Sequence, residues 1–96
     1  MARSTPTGDL HPGFSAPDAV STPWDAVVDV LDSAELFWIS TVRSDGRPHV
    51  TPLLAVWHDG AFHHGPGAAH VYEVRPRKVL SFAKGEFAQT RFRFDD

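Results

Sequence analysis

With 96 residues, the chain has room for one domain, whose core buries only about 60% of the unfolded surface, so a partner or ligand is a natural source of further stability. Apolar residues make up 42% and charged residues 22%, with a net charge of −3, a balance that excludes a disordered acid and gives no attraction for nucleic acid. Cysteine is absent, which excludes disulfides, thiolate metal centres and Cys nucleophiles, and no apolar run approaches the roughly 18 residues of a membrane span, so no membrane is expected and a cytoplasmic protein is.

The first 21 residues are rich in Pro, Ser, Thr and Gly and carry an Arg without an apolar stretch behind it. They are predicted to be a disordered tail and not a signal peptide. Residues 22–96 then form the domain. Thr22-Pro23-Trp24-Asp25 combines a capping hydroxyl, a proline at the first helical position and an acid at the third, which predicts a helix start. Trp24, Val27, Val28, Leu31 and Ala34 recur at helical spacing, so the helix is expected over about 23–34.

From Leu36 the pattern changes. LFWISTVR, rich in β-branched and aromatic residues, runs to a Ser44-Asp45-Gly46-Arg47 turn, and PHVTPLLAVWH runs from there to Asp59-Gly60, which predicts two antiparallel strands. Pro52 cannot donate to a ladder, so that strand is expected at an edge or in a bulge. AFHH is a short third strand, GPGAA a loop, HVYEVRP a fourth strand, KVLSFA a fifth and TRFRF a last one after KGEFAQ. One helix followed by many short strands predicts a mostly β fold, a small antiparallel split β-barrel, whole or incomplete.

Charge is uneven along the chain. Residues 23–59 carry two Arg against five Asp and one Glu, and residues 60–96 carry four Arg and two Lys against two Glu and two Asp. An anion site is therefore sought in the C-terminal third. Arg91 and Arg93 alternate with Phe92 and Phe94, which puts the guanidinium groups on one strand face, suited to phosphate or solvated, and the rings on the other. His58, His63, His64 and His70 lie close in sequence, but no carboxylate or Cys completes a metal set at usual spacing, and no metal is expected. Gly65-Pro66-Gly67 lacks the third glycine and the following helix of a dinucleotide loop and reads as a turn. His49 could donate to a ligand or simply pack.

Two blocks resemble a known family. The helix with Leu36–Arg43 and Asp45-Gly46-Arg47-Pro48-His49-Val50-Thr51-Pro52 is similar to the opening of the flavin-binding split β-barrel proteins related to pyridoxamine 5′-phosphate oxidase, and Val71–Phe82 through Thr90-Arg91-Phe92-Arg93-Phe94 is similar to the closing strands of one branch. Such proteins carry a Lys-x-Arg-Asn-Leu-like stretch, which grips the cofactor phosphate, and further strands between these blocks. Here Ala61 leads directly into the second block, so the chain resembles an internally shortened member. The resemblance implies FMN, or the deazaflavin F420, as cofactor in a homodimer interface and hydride exchange with a substrate. It implies further that the strand Val50-Thr51-Pro52-Leu53-Leu54 lies along the ring and that Arg91 or Arg93 meets an anionic group. From the residues alone Val50–Leu54 is a hairpin strand with an edge proline. A non-catalytic flavin-binding or dimerisation module, and an inactive remnant, are the alternative readings.

Overall fold

The computed structural model describes residues 3–67, 70–85 and 87–95. Its elements in chain order are β1 (Thr7–Leu10), a short 3-10 turn (Pro12–Phe14), α1 (Trp24–Ser33), β2 (Leu36–Val42), β3 (Pro48–Leu54), β4 (Val56–His58), β5 (Ala61–Gly67), β6 (His70–Val74), β7 (Lys78–Ala83) and β8 (Ala88–Arg93). The strands form three antiparallel sheets, β1-β8-β7, β2-β3 and β4-β5-β6. Among the described residues the fold is mostly β with one α-helix, as the pattern predicts, and none of the three sheets closes into a barrel. Among the described residues no helix is long and apolar enough to cross a membrane.

The expected disordered tail needs correction, because Thr7–Leu10 is a strand paired with β8 from Thr7 opposite Arg93 to Leu10 opposite Thr90. Gly8 and Asp9 have poor strand propensity, so the segment is extended because β8 offers it an open edge. The pairing continues beyond the strand, where the His11 and Ala16 N–H groups donate to the Gln89 and Phe87 carbonyls, both at 2.8 Å. Arg3 fastens the start of the segment. Its backbone N–H donates to Asp59 Oδ1, its Nη1 to the Gly60 carbonyl and its Nη2 to the Pro76 carbonyl, all at 2.7 Å, while its guanidinium lies 3.8 Å from the Phe94 ring centroid.

The helix begins one residue later than expected, and its cap differs. Pro23 takes the N-cap position with φ −69° and ψ 147° and no side chain caps the helix. Thr22 instead donates its backbone N–H to Oγ1 of Thr90 at 2.9 Å, and Thr90 is completely buried.

The Asp-Gly signals behave as the sequence predicts. Arg43 and Arg47 close the first turn, with the Arg43 N–H donating to the Arg47 carbonyl at 2.8 Å and Gly46 at φ 88°. Asp59 and Gly60, at φ 53° and 76°, make the left-handed pair that a two-residue hairpin requires. The run expected as one strand from Pro48 to His58 is two, because Ala55 breaks it and passes the chain from the second sheet to the third. β3 pairs with β2 alone, so Pro52 does lie on an edge strand, opposite Trp38. Gly65-Pro66-Gly67, expected in a loop, extends β5 through a register shift, and Ala68 and Ala69 lie outside the described residues.

The core is a line of aromatic rings that joins the helix to all three sheets. Trp24 of α1 meets Phe92 at 5.0 Å, Phe94 at 5.6 Å and Trp57 at 6.1 Å between centroids. Trp57 meets Phe62 at 4.8 Å, and Phe62 meets Phe37 at 5.0 Å. Edge-to-face pairs of this kind add roughly 0.5–1.5 kcal/mol each beyond the area they bury, which holds three small sheets in one body. The distal half of the β2–β3 hairpin takes no part, since every residue from Ser40 to Val50 is exposed.

Candidate functional site

Where the aromatic line reaches Phe37 and Phe62, the hairpin and the third sheet stand apart and leave an open cleft of about 450 Å³. Strand alternation decides its walls. Phe37 and Leu53 are direct cross-strand partners and so project from one face of the hairpin. Phe62 with Val74, and His64 with Tyr72, are the corresponding pairs of the third sheet. Trp38, Ile39 and Ala55 complete the lining. Among the described residues the lining is apolar except for His64 and Tyr72, which is the usual make-up of a small-molecule pocket: a hydrophobic wall with few polar groups.

The His64 ring is held. Its Nδ1 lies 2.5 Å from the Leu54 carbonyl, and a carbonyl only accepts, so Nδ1 carries the hydrogen. This bond spans the break at Ala55 and ties the end of the hairpin to β5.

Of the stretch Val50–Leu54, Leu53 lines the cleft. Thr51 shares that face opposite Ile39 and its hydroxyl makes a long 3.4 Å contact with the Pro52 carbonyl. Val50, Pro52 and Leu54 project from the other face, where all three are exposed. Leu54 reaches the site through its carbonyl. Arg91 and Arg93 stand on β8 of a different sheet and do not line the cleft. Arg91 is paired with Asp9 across β1–β8, and its Nε is buried without a partner. Arg93 sits in one cross-strand row with Thr7 and Lys78. His49, near the hairpin turn, accepts from Arg43 Nη2 at 2.9 Å, away from the cleft lining.

The sequence reading missed Phe37, Ile39, Phe62, Tyr72 and Val74 as site residues and considered His64 only as a metal ligand. β-propensity places them in strands, but nothing local tells which two faces oppose. The His58 and His63 rings lie 6.0 Å apart, and His63 Nε2 is 3.8 Å from Glu73 Oε2. Among the described residues no group of three His, Cys, Asp or Glu is arranged to hold a metal ion.

Compared with protein families, curated proteins and solved structures, the chain matches none.

Proposed function

We propose that the chain is a small flavin-binding protein of the oxidoreductase type, which takes the ring of FMN, or of the deazaflavin F420, in the cleft between β2–β3 and β4–β5–β6 and works as a cytoplasmic homodimer. The observation that carries this reading is the cleft itself, a slot of about 450 Å³ walled by Phe37, Leu53, Phe62 and Val74. Its volume falls within the range of small-ligand sites, and the resemblance to split-barrel flavoproteins rests on the strand that supplies Leu53. A flat apolar ring fits such walls, with Phe37 and Phe62 available to pack on it and exclude water. When bound, a flavin supplies hydride exchange, and the protein contributes orientation and electrostatics.

The phosphate fits less well than the ring. No Arg or Lys is among the lining residues, and Arg91 is already neutralised by Asp9. This favours a second reading, a module that binds the ring without catalysis. The homodimer is supported by the outer face of the hairpin. There Leu36 is 50% exposed, Trp38 68%, Val42 75%, Val50 57% and Leu54 68%, leaving an uncovered apolar band on a soluble-type composition.

Titration of the purified chain with FMN, F420 and lumiflavin, followed by cofactor fluorescence and with molar mass from light scattering, tests both readings. The expected result is saturable binding in the micromolar range, about −8 kcal/mol, by a species of twice the chain mass. Reduction of the bound flavin by NAD(P)H supports the oxidoreductase, and equal affinity for FMN and lumiflavin without reduction supports the module. A folded chain that binds none of the three overturns the flavin assignment.

A further inference from the structure

The geometry points to His64 as the residue that selects the ligand: it presents a fixed hydrogen-bond acceptor to the cleft, so the site takes flat rings that carry an N–H or O–H donor on their edge. This rests on the reading of the cleft as a ring-binding site and adds to it which ring is admitted.

Three observations carry it. Among the described residues the cleft lining is apolar apart from two side chains, His64 and Tyr72, so a polar ligand edge has few places to go. A ligand donor left unpaired in such a wall loses its water without replacement, which makes the match a selector as well as a contact. The second observation is the bond from His64 Nδ1 to the Leu54 carbonyl at 2.5 Å. In the neutral ring it commits the hydrogen to Nδ1 and leaves Nε2 with a lone pair. The tautomer is thus set by backbone and not by the ligand. Third, the same bond anchors the ring to the end of β3 while the side chain stands on β5. The acceptor is therefore positioned by both walls of the cleft, and a change in their separation moves it.

Tyr72 is the rival. It is the cross-strand partner of His64, but a phenol hydroxyl rotates and can donate or accept, so it accommodates ligand edges of either kind. His64 has only the one capacity left in its neutral form. A flavin ring meets this requirement at its N3–H, which is a donor; an N3-methylated flavin has the same shape and no donor.

The experiment compares lumiflavin with 3-methyllumiflavin on the wild-type chain and on His64→Asn, His64→Gln and Tyr72→Phe, by ring fluorescence, with a thermal melt of each variant. An Asn amide can still donate to the Leu54 carbonyl but has no acceptor where Nε2 stood, whereas a Gln amide can place an oxygen there. The expected result is a preference of at least about ten-fold for lumiflavin in the wild type, kept in Tyr72→Phe, largely kept in His64→Gln and abolished in His64→Asn at a near-native melting temperature. Equal binding of the two rings by the wild type overturns the role of His64 and leaves the flavin reading standing. Loss of the preference in Tyr72→Phe assigns the selection to Tyr72 and also overturns it. Binding of neither ring by the wild type overturns both. Should His64→Asn fail to fold, the wild-type ratio together with the Tyr72→Phe ratio still decides.

Discussion

The Trp24 ring packs on the Phe92 ring with centroids 5.0 Å apart and planes inclined at 55°, and through this pair the helix is fixed to the middle strand of the β1-β8-β7 sheet. Trp24 also reaches Trp57 and Phe94, so one side chain joins α1 to two sheets. Phe92 is 2% exposed and has no other large partner from the helix among the ring contacts. Trp24→Ala is expected to cost about 3–5 kcal/mol, a large share of the stability of a domain this small. Urea denaturation followed by far-ultraviolet circular dichroism should show a midpoint far below the wild type; an unchanged midpoint would mean that the sheets hold together without the helix.

Thr90 supplies the polar counterpart of that junction. It is fully buried, and its Oγ1 accepts the Thr22 N–H at 2.9 Å just before the helix starts. Thr90→Val keeps the shape and removes the acceptor, leaving a backbone donor unsatisfied at a cost of about 1–3 kcal/mol. Since a kilocalorie moves the melting temperature of a domain of this size by roughly 4–8 °C, the variant should melt well below the wild type. Thr90→Ser, which keeps the hydroxyl, should recover much of the loss.

Gly8 is needed for lack of a side chain. It lies opposite Phe92, and a Cβ there would stand 2.8 Å from Phe92 Cε1. Phe92 cannot swing away without leaving Trp24, so Gly8→Ala is expected to destabilise by about 1–3 kcal/mol through overpacking, with amide exchange in β1 and β8 rising most. A variant as stable as the wild type would show that β1 is held too loosely for the contact to matter.

These three positions show which parts of the fold the sequence makes legible. The β-branched and aromatic content of Leu36–Arg43 and the Asp59-Gly60 pair act within a few residues, and the hairpins form where local chemistry puts them. The strand at Thr7–Leu10 is illegible because Gly8 and Asp9 oppose strand formation locally, and its partners Arg91 and Phe92 lie more than eighty residues away. The same limit governs the site. The family resemblance named Leu53, which lines the cleft, while Phe37, Phe62 and Val74 were placed in strands but singled out for no site. That these faces oppose each other, and that the His64 ring is tied to the Leu54 carbonyl, depends on the break at Ala55, which carries no sequence signal of its own. Arg91 and Arg93 were correctly read as sharing a face, but the Asp9 that neutralises Arg91 belongs to the segment expected to be disordered.

The N-terminal segment should therefore behave as part of the domain. Arg3 makes three 2.7 Å hydrogen bonds to Asp59, Gly60 and Pro76 and covers the Phe94 ring, so it holds β1 against two turns and the chain end after β8. Arg3→Ala removes the guanidinium bonds to Gly60 and Pro76 and the cation–π contact, for which about 1–2 kcal/mol is expected, and Arg3→Lys should not restore it because one ammonium cannot fork to two carbonyls across the ring face. Limited proteolysis reads this directly. The wild-type segment should resist cleavage before α1 and the Arg3→Ala chain should be cut there first; equal cleavage of both would restore the tail assignment.

The outer face of the hairpin is where the proposed homodimer can be tested. Leu36 opposes Leu54, Trp38 opposes Pro52, Ser40 opposes Val50 and Val42 opposes Pro48, so seven of the eight side chains on that face are apolar, and all eight are exposed. Together they offer on the order of 600–800 Å² per chain, close to what one partner contributes to a standard interface. Trp38 also touches the cleft, so a second chain on this face would narrow the cleft mouth. Val50→Lys and Leu54→Lys place a charge on the band without touching the cleft lining, and surface changes of this kind normally alter stability by no more than about 0.5 kcal/mol. Light scattering should give twice the chain mass for the wild type and the single-chain mass for the double variant at the same concentration, with circular dichroism unchanged. A wild-type chain of single mass would mean that the band does not bind its own copy, and the homodimer would fall while the cleft and its acceptor are untouched.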